Sequence, residues 1–502
     1  MLCSFHIKLC SFLVVLVALI VPFIIYYTPS AMTGNPFGET DDEGVSITSK
    51  YPTGEDEAFD YRRCAALHNM LVEQAWVAEG RTLEELETRS FFQRYGDEAK
   101  EILDRIDPSL KAFLDSINVS EQLPPFFFWV EGITPPGEMF SVHDMFQDYE
   151  ERNRFLTLYM TNVGLGEHPL GLIYDQKLHR ATLTLGLEDM DFVLPVGQHD
   201  DLWYPLETIL GNWIHMVEIK KITASQDEAP NEKFGPWTWQ PYSEAQVDSA
   251  VAAFERLAAI IEQRMPGEHQ RDPKEYPLVS NEELDAASVP STCFILSFLT
   301  RARRPAFRKI APGLEIPHDH KAFVSNQKFT VINVDPDYGT VIPPVLIFAS
   351  TERQIVDLDS PNRYVSFNPF AKAFRDGVVQ GDRSIIAGLY SESVERSSID
   401  VAEEGFRLLL PFRFHAFGQN GGARKSDGSL LTEGSMAELF QHGFKPFGGE
   451  WWRAQRLETL FNHWSYLIET GVWTIGDDGV QGGIDVFRDA HLSKDYHIRP
   501  SW

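Results

Sequence analysis

The stretch LCSFLVVLVALIVPFIIYY, residues 9–27, carries no charged side chain. A run of 19 such residues is close to the roughly 20 that a helix needs to cross a bilayer core. It exceeds the roughly 7 to 15 apolar residues of a signal-peptide core, so it reads as a membrane anchor, with Ser30-Ala31 leaving signal cleavage open. Either reading sends the chain to the secretory route. Lys8 precedes the run, whereas Glu39, Asp41, Asp42 and Glu43 follow it, and positive charge stays cytosolic. The expectation is a single-pass membrane protein held through residues 9–27, with a short cytosolic stub and a large luminal or extracellular body.

Luminal placement gives meaning to Asn118-Val119-Ser120, an acceptor triplet for N-glycosylation at Asn118. Of four cysteines, Cys3 and Cys10 belong to the anchor region. Cys64 and Cys293 remain, as one disulfide in an oxidising compartment or as two buried thiols. Two thiols exclude a disulfide-framework fold and a cysteine-rich zinc module. A net charge of −29, from 73 acidic and 44 basic residues, argues against nucleic acid as a partner, because such binding depends on phosphate neutralisation.

Residues 31–58 are rich in Gly, Thr and acids without periodicity and read as a flexible stem. Helices are predicted at about 58–78 and 97–117, and strands within 170–196 as LGLIYD, ATLTLGL and DFVLPV. At 243–265, Ser243 and Gln246 form a capping box ahead of Val247, Val251, Phe254, Ala258 and Ile261 at helical spacing. The Pro- and charge-rich 266–291 is a linker or long loop, dividing a helix-rich 59–265 from a strand-rich 292–502. The latter offers KFTVINV, PVLIFAS, RYVSFN, IIAGLY and FRLLLPFRFHA as strands, and a last helix at about 450–470. Strands and helices without regular alternation predict an α+β or mixed α/β body.

Dinucleotide, phosphate-loop, nucleophile-elbow and HExxH signatures do not occur. PHDH at 317–320 is the densest set of metal ligands, and His318 and His320 would need a bend to share one ion. The competing reading is two exposed loop histidines. His215 and Glu218 share a face of a helix predicted over about 203–221, and His199, Asp200 and Asp201 lead into it. A neutral histidine there can act as general base, which makes His215, Glu218, His199 and Asp201 the catalytic candidates. Three Asp-x-Asp pairs (189/191, 335/337, 357/359) suit a divalent ion bridging a nucleotide-sugar, or plain turns.

RARRPAFRK at 301–309 is the one basic concentration, and Arg301, Arg303 and Arg304 can grip an anionic ligand or simply pair with neighbouring acids. PPFFFWV at 124–130 and GPWTWQPY at 235–242 bring Trp237 and Trp239 into aromatic clusters that suit a sugar or apolar ligand, or a rigid core edge.

Two stretches, FLTRARRPAFRKIAPGLEIP (298–317) and GVWTIGDDGVQGGIDVFRDA (471–490), resemble parts of filamentous-fungal proteins of unassigned activity. The resemblance implies a tailoring step of specialised metabolism through context alone. The expected function is therefore a membrane-anchored luminal enzyme acting on a small molecule or glycan. A non-catalytic luminal binding or assembly protein and a luminal glycosyltransferase are the alternatives, and no cofactor is indicated.

Overall fold

In the computed structural model, the residues described are 59–146, 151–224, 233–266, 276–358, 368–371, 373–374, 384–414, 423–449 and 452–502. The expected anchor at 9–27 and stem at 31–58 lie outside them, as do Asp359, most of RYVSFN and 267–275 of the expected linker. Among the described residues no helix is long and apolar enough to cross a membrane.

Helix α1 (Tyr61–Ala78) starts at Asp60, whose carboxylate accepts from the Arg63 amide, and buries Leu67, Leu71, Val72 and Ala75 on one face. The predicted helix at 97–117 is two helices, α2 (Phe91–Glu101) and α3 (Pro108–Ser116). Pro108 forces this break, since the residue before a proline avoids the helical region. Asp107 is extended at φ −64 and ψ 145, and its carboxylate caps α3 at Ser109.

Strands β1 (Val130–Ile133), β2 (Phe155–Thr161), β3 (Gly171–Asp175), β4 (Arg180–Leu183) and β5 (Tyr204–Pro205) form an antiparallel meander in that order. The predicted strand DFVLPV is instead helical over Met190–Val193. Asp189 explains the difference: it accepts the Leu185 and Gly186 amides at 2.7 and 3.0 Å and turns the chain before a strand can form. Helix α4 (Leu206–Glu218) follows, then a small sheet of β6 (Ile222–Ala224), β7 (Lys233–Phe234) and β8 (Trp237–Trp239) in the order β6-β8-β7.

Helix α5 (Glu244–Arg264) has the predicted capping box, with Val247, Phe254, Ala258 and Ile261 buried. After α6 (Asn281–Ala286) and α7 (Phe294–Arg301) come β9 (Lys309–Ala311), β10 (Leu314–Glu315), α8 (His320–Asn326), β11 (Leu346–Ser350), β12 (Gly388–Ser391) and β13 (Phe406–Leu409). KFTVINV does not become a strand, because Thr330 turns back to bond the Ala287 and Gln327 carbonyls. Helix α9 (Leu457–Glu469), β14 (Ile475–Gly476) and β15 (Gly479–Val480) complete a sheet in the order β13-β12-β11-β10-β9-β15-β14. All its pairs are antiparallel except β9 with β15.

The architecture is mixed α+β. Helices α5 and α9 pack together through Phe254 and Phe461, ring centroids 5.4 Å apart. Segments on either side of 266–291 thus share one core, and the described residues belong to a single compact unit.

Candidate functional site

The two aromatic segments meet in the interior. Phe126 to Trp129 are fully buried. Asn162 bridges the Phe127 and Phe128 carbonyls at 2.9 and 2.7 Å, so the backbone of this segment is held as firmly as its rings. The Trp237 and Trp239 indoles donate to the Pro125 and Val401 carbonyls at 2.7 and 2.6 Å. Gly235, at φ +59, lets the β7–β8 turn come down on Pro125, where a Cβ would stand 2.5 Å from the ring. Most of this material is core, and one edge of it is not.

That edge belongs to Trp237, which with Met70 and Val77 of α1, Val217 of α4 and Ile222 of β6 lines a groove of about 510 Å³. Val77 is 50% exposed, whereas Trp237 at 1% forms the floor. Gln74 faces the same groove, and its buried Oε1 has no hydrogen-bond partner among the described residues. Lys220 and Glu73 stand at the groove as its charged groups. The volume lies within the roughly 300–1,000 Å³ of small-molecule sites, and an apolar lining with few polar groups is the pattern of such sites.

The catalytic candidates are not gathered into one constellation. His215 and Glu218 face each other across 3.9 Å in the last turns of α4, and the His215 ring stands edge-on to Trp502 at 6.2 Å. His199 and Asp201 sit in short turns ahead of the helix. Nine residues of helix, about 14 Å, separate them from His215, and among the described residues no hydrogen bond or ion pair joins the two sets.

The basic segment is engaged by acids. Arg301 bonds Glu244 and Asp248 at 2.6 and 3.1 Å, Arg303 stands 3.6 Å from Glu262, and Arg304 reaches Glu283 at 3.2 Å and the Leu278 carbonyl at 3.0 Å. These contacts staple α7 and the segment just after it to α5 and α6.

His318 and His320 diverge. His318 Nε2 lies 3.1 Å from the Phe307 carbonyl, and His320 Nδ1 lies 3.5 Å from Glu283. Among the described residues no group of three or more His, Cys, Asp or Glu side chains is placed to hold a metal ion. Asp335 accepts the Asp337 amide at 3.1 Å and, like Asp189, shapes a turn. Of the two readings for Cys64 and Cys293, the structure has the second: both thiols are free and buried. Cys64 Sγ lies 3.6 Å from Glu207 in the α1–α4 contact, and Cys293 Sγ lies 3.3 Å from the Pro290 carbonyl. Burial pushes the Cys293 thiol up to about 11. Asn118 has its backbone amide and carbonyl tied to Asn69 and His68.

Sequence reasoning did not find the buried ionic cluster. Lys221 Nζ, fully buried, bonds Glu404 at 2.9 Å and the Pro241 and Val401 carbonyls at 3.0 Å each, which uses all three of its protons. Gln246 holds the same Glu404 at 2.7 Å. Arg453 bonds Asp400 at 2.8 Å and the Gly448 carbonyl at 2.9 Å, and Trp239 lies about 5 Å from both cations. Nearby, burial and the Arg453 charge push Lys445 down to about 7, and burial with four neighbouring cations drives His442 well below the ordinary range. Lys445 and His442 are buried, at 4% and 5% exposure. The cluster joins chain segments rather than presenting chemistry. No signal marks it in the sequence, because single charged residues usually lie at surfaces.

No family model, curated protein or solved structure matches this chain.

Proposed function

We propose that this protein is a membrane-tethered luminal protein whose body binds a hydrophobic small molecule in the groove between α1, α4 and β6. The observation that carries this reading is the groove itself: about 510 Å³, walled by Met70, Val77, Val217 and Ile222 and floored by Trp237. Burying an apolar ligand there removes both partners' surface from water, at about 25 cal/mol per Å². Lys220 and Glu73 at the groove suit a ligand with one polar end. Catalysis would need titratable groups within reach of the ligand. The strongly shifted groups, Lys445 and His442, are sealed away from solvent, so binding without turnover is the reading preferred over an enzyme. The tether rests on residues 9–27 and the flanking charges.

The test is to express the full chain in a secretory host, extract it gently and identify co-purifying apolar molecules by native mass spectrometry. The wild-type protein is expected to carry a defined apolar ligand that Val77→Arg and Val217→Arg lose. Identical ligand content in wild type and folded variants would refute the reading.

A further inference from the structure

A second cavity, of about 280 Å³, opens where the β9–β10 hairpin meets α8 and the turn after β11. Its lining is of the opposite character, with Arg308, Glu315, His318, Asn326 and Arg353 facing it above Ile347. We propose that this cleft binds a small polyhydroxylated molecule bearing one anionic group, the chemistry of an acidic sugar.

The charge follows from which groups are already engaged. Arg308 Nη2 is paired with Glu315 at 3.1 Å. Asp319 beside them accepts the Lys321 and Ala322 amides at 2.9 and 3.2 Å. Among the described residues the Arg353 guanidinium forms no ion pair, in a chain of net charge −29 where acids are plentiful. The Arg353 side chain is exposed where it lines the cleft, and its planar fork can bind a carboxylate or phosphate in bidentate fashion.

Arg353 is also held in place by its backbone. Its φ of 50° is left-handed, a conformation few non-glycine residues adopt and one that clusters at ligand clamps. Bonds from the Arg353 amide to Ser350 and from Thr351 to Gly313, both 2.9 Å, fix the turn. The remaining groups suit hydroxyls. A carbonyl only accepts, so His318 Nε2, facing that of Phe307 at 3.1 Å, carries a proton, and Nδ1 is the ring nitrogen left for a ligand. The Asn326 amide makes no side-chain hydrogen bond among the described residues and offers both donor and acceptor. A hydroxyl supplies both functions in return. The volume lies just under the roughly 300 Å³ where drug-sized pockets begin, which suits one sugar ring rather than a chain of them.

The experiment titrates the full chain, in lipid nanodiscs, with glucuronate, glucose 6-phosphate and glucose, reading binding by calorimetry. At least one acid is expected to bind, and the tighter of the two tells carboxylate from phosphate. Arg353→Gly keeps the left-handed backbone and should weaken that acid by about tenfold or more. Asn326→Ala should weaken it less, and Val77→Arg, in the apolar groove, should leave it unchanged. The proposal is overturned if neither acid binds, if glucose binds as tightly as the acids, if Arg353→Gly has no effect, or if Val77→Arg abolishes binding.

Discussion

Three histidines show how burial sets the protonation of single residues. His68 donates through Nε2 to the Asn118 carbonyl at 3.0 Å, and in the neutral ring its Nδ1 accepts from the Tyr159 hydroxyl at 2.8 Å. Burial pushes His68, His143 and His463 each down to about 4. The unfolded chain holds these groups near 6.5, so between about pH 6.5 and 4 it binds protons that the folded chain refuses. Folding stability is therefore unaffected by them above about pH 6.5, falls as pH drops, and levels below about 4, with a loss on the order of 3 kcal/mol per histidine. Denaturant titrations across pH 4–7 should show this slope, and His143→Leu with His463→Leu should remove their share of it while leaving that of His68 and His442. An unchanged slope in the double variant would show that those two residues do not carry it.

At the scale of elements, local chemistry decided most outcomes. The Ser243–Gln246 capping box of α5 and the apolar face of α9 were legible because each states its geometry within a few residues. The split between α2 and α3 was equally written in Asp107-Pro108, though an expectation drawn from periodicity alone runs through it. Asp107 holds the Ser109 amide at 2.7 Å, and Asp107→Ala should cost about 1 kcal/mol, read from the denaturation midpoint. No change would mean that Pro108 alone sets the start of α3. KFTVINV failed as a strand because Thr330 turns back onto the Ala287 and Gln327 carbonyls, and a β pattern is realised only where tertiary context allows it.

The whole molecule is where the sequence became silent. Lys221 and Glu404 lie 183 positions apart and meet at 2.9 Å across the expected division at 266–291. Lys221→Met should strand a buried carboxylate and cost about 3–5 kcal/mol, and adding Glu404→Leu should recover part of it. A double variant as unstable as the single would show that the pair is not coupled in this way. The groove was legible in one part only, Trp237. Met70, Val77, Val217 and Ile222 are ordinary apolar positions of two helices and a strand until the fold sets them around that ring. The most direct measurement of its role is photolabelling of the full chain in membranes with a diazirine-bearing fatty alcohol, mapped by peptide mass spectrometry. The account predicts saturable labels on residues 70–78 and 217–224 that Val217→Arg removes, and labels scattered over the body and insensitive to that substitution would contradict it.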